Sequence, residues 1–148
     1  MIKHTVLFVC IHNSARSQMA EAYLNEMGGA YFIASSAGLE PGKLNPNVVE
    51  VMKEDGIDIS NNPTTGVFDL LKEGKQYDAV ITVCDGASAE RCPIFPGKSK
   101  RMGWSFKDPS SFTGSRDEAL AETRAVRDQI KKQIEQFIAE AKELDFWL

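Results

Sequence analysis

Cys10, Arg16 and Ser17 stand at a C-x5-R-S spacing in the run Cys10-Ile11-His12-Asn13-Ser14-Ala15-Arg16-Ser17. An ionised thiol is a strong nucleophile, and a guanidinium presents a planar fork of donors that can grip two oxygens of a tetrahedral anion. An apolar run precedes the cysteine and a helical pattern follows the serine. A loop wrapped between a strand and a helix N-terminus turns successive N–H groups, here those of Ile11, His12, Asn13, Ser14, Ala15, Arg16 and Ser17, toward a bound anion. Cys10 at the floor of such a loop is expected to act as a thiolate nucleophile. Asn13 suits a left-handed backbone, and the hydroxyl of Ser17 or Ser14 can donate to the sulfur. Taken alone, the spacing also fits a cysteine that ends a strand as a small buried hydrophobe. The strand, serine and helix around it favour the chemical reading.

The elements that must position this loop follow from apolar patterning. Thr5–Val9 and Ala79–Val83 are continuous rather than alternating apolar runs, which predicts two central parallel strands covered on both faces. Tyr31–Ser36 and Lys98–Trp104 are further strand candidates. Helices are expected over Ser17–Met27, from an Asn45 cap and Pro46 to Gly56, over Val67–Lys72 and over Ser115–Leu144. Asn61–Gly66 reads as a surface loop. Alternating strands and helices predict an α/β fold: a three-layer open sheet of about four parallel strands flanked by helices. Its ligand would sit at the carboxyl ends of the strands, where Cys10 and Cys84 lie.

A chain of 148 residues suits one domain, residues 1–148. Seventeen Lys and Arg against 21 Asp and Glu leave a net charge of -4, so nucleic acid and anionic membranes are not expected partners and any anion must be caught locally. The apolar run that follows Met1 is short and lacks a small-residue cleavage signature, so neither a secretory signal nor a membrane span is expected. Three cysteines, Cys10, Cys84 and Cys92, are odd in number and too few for a disulfide scaffold; they fit thiols kept reduced in a cytoplasm. They lack the spacing of a zinc site, and no metal is assigned.

The Cys-x5-Arg-Ser loop near the N-terminus, together with the distant pair Asp108-Pro109, resembles the low-molecular-weight tyrosine phosphatases. That resemblance makes Asp108 the general acid that protonates the departing oxygen. It extends through Gln18-Met19-Ala20-Glu21, Ser36-Ala37-Gly38, Leu44-Asn45-Pro46-Asn47, Gly56-Ile57-Asp58-Ile59-Ser60 and Cys92-Pro93 to the thioredoxin-coupled arsenate reductases built on the same fold. Asn13, Glu21 and Ser36 match part of a potassium site found in some of these relatives, but Gly66 stands where an acidic ligand is expected. Ser110-Ser111 replaces the paired tyrosines typical of phosphatases that act on phosphotyrosine, which points to a small oxyanion.

A phosphatase moves no electrons and needs no second or third thiol. Reducing arsenate to arsenite takes two electrons, which one disulfide formed from two thiols supplies. The resemblance implies a relay in which Cys10 attacks arsenic, Cys84 attacks Cys10, and Cys92 attacks Cys84. It implies no bound cofactor and an external thiol reductant, thioredoxin or glutaredoxin. If residues 84 to 92 are helical, eight steps of about 1.5 Å separate the end Cα atoms by ~12 Å, whereas a disulfide needs less than about 7 Å. The segment is therefore expected to change conformation on oxidation. A phosphatase whose extra thiols guard against oxidation, and a non-catalytic arsenite or redox sensor, are the alternatives.

Overall fold

Val6, Leu7, Phe8 and Val9 are fully buried, as a strand covered on both faces requires. They form the centre of β1 (His4–Cys10) in a computed structural model that describes residues 2–84 and 86–148. Met1 and Asp85, the latter between Cys84 and Cys92, lie outside the described residues. The order continues α1 (Arg16–Gly28), β2 (Phe32–Gly38), α2 (Pro46–Glu54), α3 (Val67–Lys72), β3 (Ala79–Thr82), α4 (Gly86–Ala89), β4 (Lys100–Gly103) and α5 (Arg116–Ala141). Short 3-10 turns occupy Pro109–Ser111 and Leu144–Trp147.

The sheet runs β2-β1-β3-β4 with every neighbouring pair parallel, which is the open four-stranded architecture that the patterning predicts. Successive side chains of a strand point to opposite faces, so β1 divides its residues between two cores. Val6, Phe8 and Cys10 pack with Met19 and Tyr23 of α1, Val48 and Met52 of α2, and Ile130 and Ile134 of α5. Leu7 and Val9 pack on the other face with Val67 of α3, Val80, Cys92 and Phe95. The chain leaves β1 for β2 on one side and reaches β3 on the other, so the strand order switches between β1 and β3. Cys10 ends β1 and Cys84 follows β3, which puts both at the carboxyl edge beside the switch.

The helix ends obey local chemistry. Asn45 caps α2 by accepting the Asn47 N–H at 2.9 Å, Pro46 takes the first helical position, and Gly56 follows in the left-handed region at φ 77°. Ser115 caps α5 by accepting from the Glu118 N–H at 3.1 Å. That helix stops at Ala141 rather than Leu144. The chain instead turns so that Phe146 meets Phe137 edge-on at 5.7 Å and Trp147 stacks on His4 at 4.0 Å, burying aromatic surface that a continuing helix would leave in water.

Polar contacts lock α2 to α5. Arg127, 7% exposed, donates to the Val51 carbonyl and to Glu54, each from Nη1, and to Asp128. Arg127→Met is expected to cost about 1–3 kcal/mol in denaturant unfolding, since it leaves the Val51 carbonyl without its donor, while the two carboxylates can turn to water. Hydrogen bonds from Arg124, and secondarily from Arg127, hold the Glu54 carboxyl down to about 2. Its folded value thus lies below the ordinary 4.5, so the stability it contributes is present above pH about 4.5 and lost as pH falls toward 2. Glu54→Gln is expected to flatten the acid limb of stability against pH in that window.

Candidate active site

The loop after β1 is shaped by a second segment that straps it from outside. The N–H groups of Leu39, Glu40, Gly42 and Asn45 donate to the carbonyls of Cys10 (3.0 Å), Ile11 (2.7 Å), His12 (2.9 Å) and Ser14 (2.9 Å). In a trans peptide the N–H of the next residue points opposite to the carbonyl. The strap therefore turns the amides of Ile11, His12, Asn13 and Ala15 away from itself and toward the interior of the loop. Asn13 takes the left-handed conformation at φ 54°, as expected of a tight anion-binding turn. Ala15 precedes α1 with no side-chain cap, which leaves the first-turn amides of the helix available to a ligand.

Gly38 makes this close approach possible. A Cβ there would sit 2.7 Å from the Asn13 nitrogen and 2.8 Å from the His12 carbonyl carbon, both backbone atoms. Gly38→Ala is expected to weaken binding of inorganic phosphate about tenfold, because overpacking of about 1–3 kcal/mol is relieved by displacing the loop. Calorimetric titration measures the effect, and unchanged affinity would show that the loop tolerates the methyl group.

The Cys10 sulfur lies 2.8 Å from the Ser17 hydroxyl, in a buried contact. The Asn13 amide decides which atom donates. Its oxygen accepts the Thr65 backbone N–H at 2.9 Å, which fixes the orientation of the amide. Its nitrogen then donates to Ser17 Oγ at 2.8 Å and Ser36 Oγ at 2.9 Å. With its oxygen accepting from Asn13, the Ser17 hydroxyl has its hydrogen free for the sulfur, the polarity an anionic thiolate needs. Ser36 passes its own hydrogen to Glu21 Oε1 at 3.1 Å. Burial pushes the Glu21 carboxyl up, against the opposing effect of its bonds to Ser36. Among the described residues no group of three or more His, Cys, Asp or Glu is arranged to hold a metal.

Arg16, 4% exposed, completes the loop. Its Nη1 donates to the Phe106 carbonyl at 3.1 Å, and Nη2 lies 3.7 Å from Asp108 Oδ2. Its Nε is buried with no partner among the described residues, an expensive arrangement that an oxyanion in the loop would relieve. Asp108 is oriented by its Oδ1, which accepts the Ser110 N–H at 2.9 Å, while the Ser111 hydroxyl donates to the Asp108 carbonyl at 2.6 Å. The two serines that stand in place of tyrosines thus brace the Asp108 turn, with Ser110 also accepting from Asn45. His12 is exposed, and its Nδ1 donates to the Glu40 carbonyl at 2.8 Å.

The three thiols are all reduced and buried, but not together. Cys84 belongs to the core that contains Cys10, whereas Cys92 lies in the core on the opposite face of the sheet. Cys92 thus lies across the sheet from the core that holds Cys10 and Cys84. Burial pushes its thiol up, and Arg101 draws it partly back. Arg91, its neighbour in sequence, instead pairs with Glu40 at 2.7 Å. The Asn61–Gly66 stretch is more than a surface loop. Thr65 orients Asn13, the Pro63 carbonyl accepts from Gln18 at 2.9 Å, and Gly66 bridges Gly38. Gln18, 1% exposed, also donates to the Asn13 carbonyl at 3.1 Å. The only local signal for its role is a polar side chain beside the apolar stripe of α1.

Residues 5–145 match the low molecular weight phosphotyrosine protein phosphatase family. An arsenate reductase from Bacillus licheniformis is 42% identical over 139 residues, covering 93% of this chain and 96% of the relative. A solved arsenate reductase in the phosphate binding state superposes with TM-score 0.74 at 31% identity, covering 93% of this chain and 98% of the other. A thioredoxin-dependent arsenate reductase from Corynebacterium glutamicum superposes with TM-score 0.59 at 29% identity, over 92% of this chain and 63% of the other. With a matched model spanning nearly its whole length, the chain belongs to the low molecular weight phosphotyrosine protein phosphatase family.

Proposed function

We propose that residues 1–148 act as one cytoplasmic domain that reduces arsenate to arsenite through Cys10, Cys84 and Cys92. The observation that carries this reading is the second reduced thiol, Cys84, buried in the same core as Cys10; a hydrolase has no use for it. The arsenate reductases among its relatives support the substrate class.

Arsenate sits in the loop on the amides of residues 11–17 and the Arg16 guanidinium. The Cys10 thiolate adds to arsenic, and one oxygen leaves as water with a proton from Asp108. Cys84 then attacks the Cys10 sulfur. The sulfur–arsenic bonding pair stays on arsenic, which departs as arsenite, and a Cys10–Cys84 disulfide remains. Cys92 attacks Cys84, Cys10 leaves as thiolate, and an external dithiol, thioredoxin or glutaredoxin, reduces the resulting Cys84–Cys92 disulfide. Because the loop alone can transfer a phosphoryl group, slow hydrolysis of aryl phosphates accompanies the reduction.

Arsenate-dependent NADPH oxidation, coupled through thioredoxin and its reductase and compared with a glutaredoxin system, tests the proposal. Arsenite is expected to form in equal amount to NADPH consumed in one of the two systems. Hydrolysis of p-nitrophenyl phosphate with no arsenate-dependent consumption in either would replace the reading with that of a phosphatase. Tight arsenite binding with neither activity would indicate a sensor.

A further inference from the structure

We infer that Arg101 is the positioning residue for Cys92: its guanidinium clasps the backbone at Cys92 and Pro93 and anchors the point about which the preceding segment moves to bring the Cys84 and Cys92 sulfurs together. The inference rests on the relay proposed above. Arg101 lies on β4, an edge strand, in register with Val80 of β3. Paired residues of neighbouring strands project to the same face. Val80 packs in the same core as Cys92, so Arg101 reaches over the face that holds this thiol. Its Nη1 donates to the Pro93 carbonyl and its Nη2 to the Cys92 carbonyl, each at 3.2 Å.

Cys92 is the point where one kind of order gives way to another. Helical turns lead up to it, with the Arg91 N–H on the Ser88 carbonyl and the Cys92 N–H on the Ala89 carbonyl, both at 3.1 Å. Immediately after it the clasp begins. A shallow cleft of about 330 Å³, lined by Thr82, Ala89, Glu90, Arg101, Met102 and Gly103, adjoins α4. Pulling out of the helical turns breaks these two bonds and leaves the clasp intact, so the loop pivots on residues 92 and 93.

In the step this serves, the Cys92 thiolate attacks Cys84 of the Cys10–Cys84 disulfide. That bond breaks with its electron pair leaving on Cys10, the Cys84–Cys92 bond forms, and the proton of Cys92 has gone to solvent. No further oxidant enters. Arg101 is the cation that acts on Cys92. Arg91 is tied to Glu40, Glu90 lies across the cleft, and the Tyr77 phenol in the same core is pushed up by burial and stays neutral.

The test is single turnover of full-length reduced Arg101→Gln and Arg101→Lys with arsenate, quenched by alkylation, with disulfides mapped by peptide mass spectrometry. Arg101→Gln is expected to form arsenite and the Cys10–Cys84 disulfide at the wild-type rate. Its conversion to Cys84–Cys92 should slow about tenfold, with its pH profile moved upward. Arg101→Lys should restore the pH profile but not the rate, since an ammonium cannot hold two carbonyls in a fixed fork; it also carries the rate measurement if the glutamine variant does not fold. Wild-type conversion in both variants, or equal slowing of both steps, overturns the clasp. If wild-type protein itself forms no Cys84–Cys92 disulfide, the relay fails and the clasp with it.

Discussion

Cys84→Ser is expected to abolish arsenate turnover while leaving p-nitrophenyl phosphate hydrolysis within about twofold of wild type. The two outcomes separate because the reactions share only their first half. Hydrolysis needs the Cys10 thiolate, the loop amides, Arg16 and an acid; Ser17 holds the Cys10 sulfur, Asn13 holds Ser17, and the Phe106 carbonyl holds the Arg16 guanidinium. Reduction needs a second sulfur to take the bond that Cys10 makes to arsenic, and a hydroxyl cannot accept that bond and later return it to a thiol. Serine is close to cysteine in size, so the Cys10 core should keep its packing apart from the cost of a buried hydroxyl. Parallel steady-state assays, with arsenite measured directly, decide the matter. Full arsenate turnover in this variant would end the relay, and loss of both activities would indicate that Cys84 supports the loop rather than the redox step.

Arg16→Lys is expected to lower kcat/KM for both arsenate and p-nitrophenyl phosphate by about 10²–10³. The size follows from how the guanidinium is held. One nitrogen is fixed by the Phe106 carbonyl, a second lies beside Asp108, and the buried Nε is left for the oxyanion. An ammonium is a point charge on a flexible stem; it can satisfy the Phe106 carbonyl or the anion, but not both in the planar geometry the site presents. Because the loss falls on the shared first half, the ratio of the two activities should stay near that of wild type, the opposite of the Cys84 result. Inorganic phosphate binding should weaken in parallel. A lysine variant with wild-type kcat/KM would show that the amides alone hold the oxyanion.

Much of the site was legible because its core is contiguous. From Cys10 to Ser17 the strand end, the turn and the helix start are adjacent in sequence, so residue type and spacing carry the geometry. Capping was equally local: Asn45-Pro46 and Ser115 begin their helices as their chemistry predicts. What escaped were contacts to the loop from remote segments whose residue types carry no chemical signature. Thr65 acts through a backbone N–H, which any residue possesses, so its identity carries no signal. Gly38 matters for what its missing Cβ would strike in a segment remote in sequence. Arg101, in a weak strand at the sheet edge, looks like an ordinary surface cation until the register with Val80 puts it over Cys92.

By itself the sequence determined the C-x5-R-S turn between a strand and a helix, the parallel α/β architecture and the presence of two further cysteines, because each depends on short-range spacing or on apolar periodicity. Only the tertiary structure decided how the thiols are shared between the two faces of the sheet. Alternation along β1 sends Cys10 to one core, and the course of the chain after β3 leaves Cys84 on that side and carries Cys92 to the other. Which face a residue reaches after a turn depends on packing and register, which local patterning does not encode.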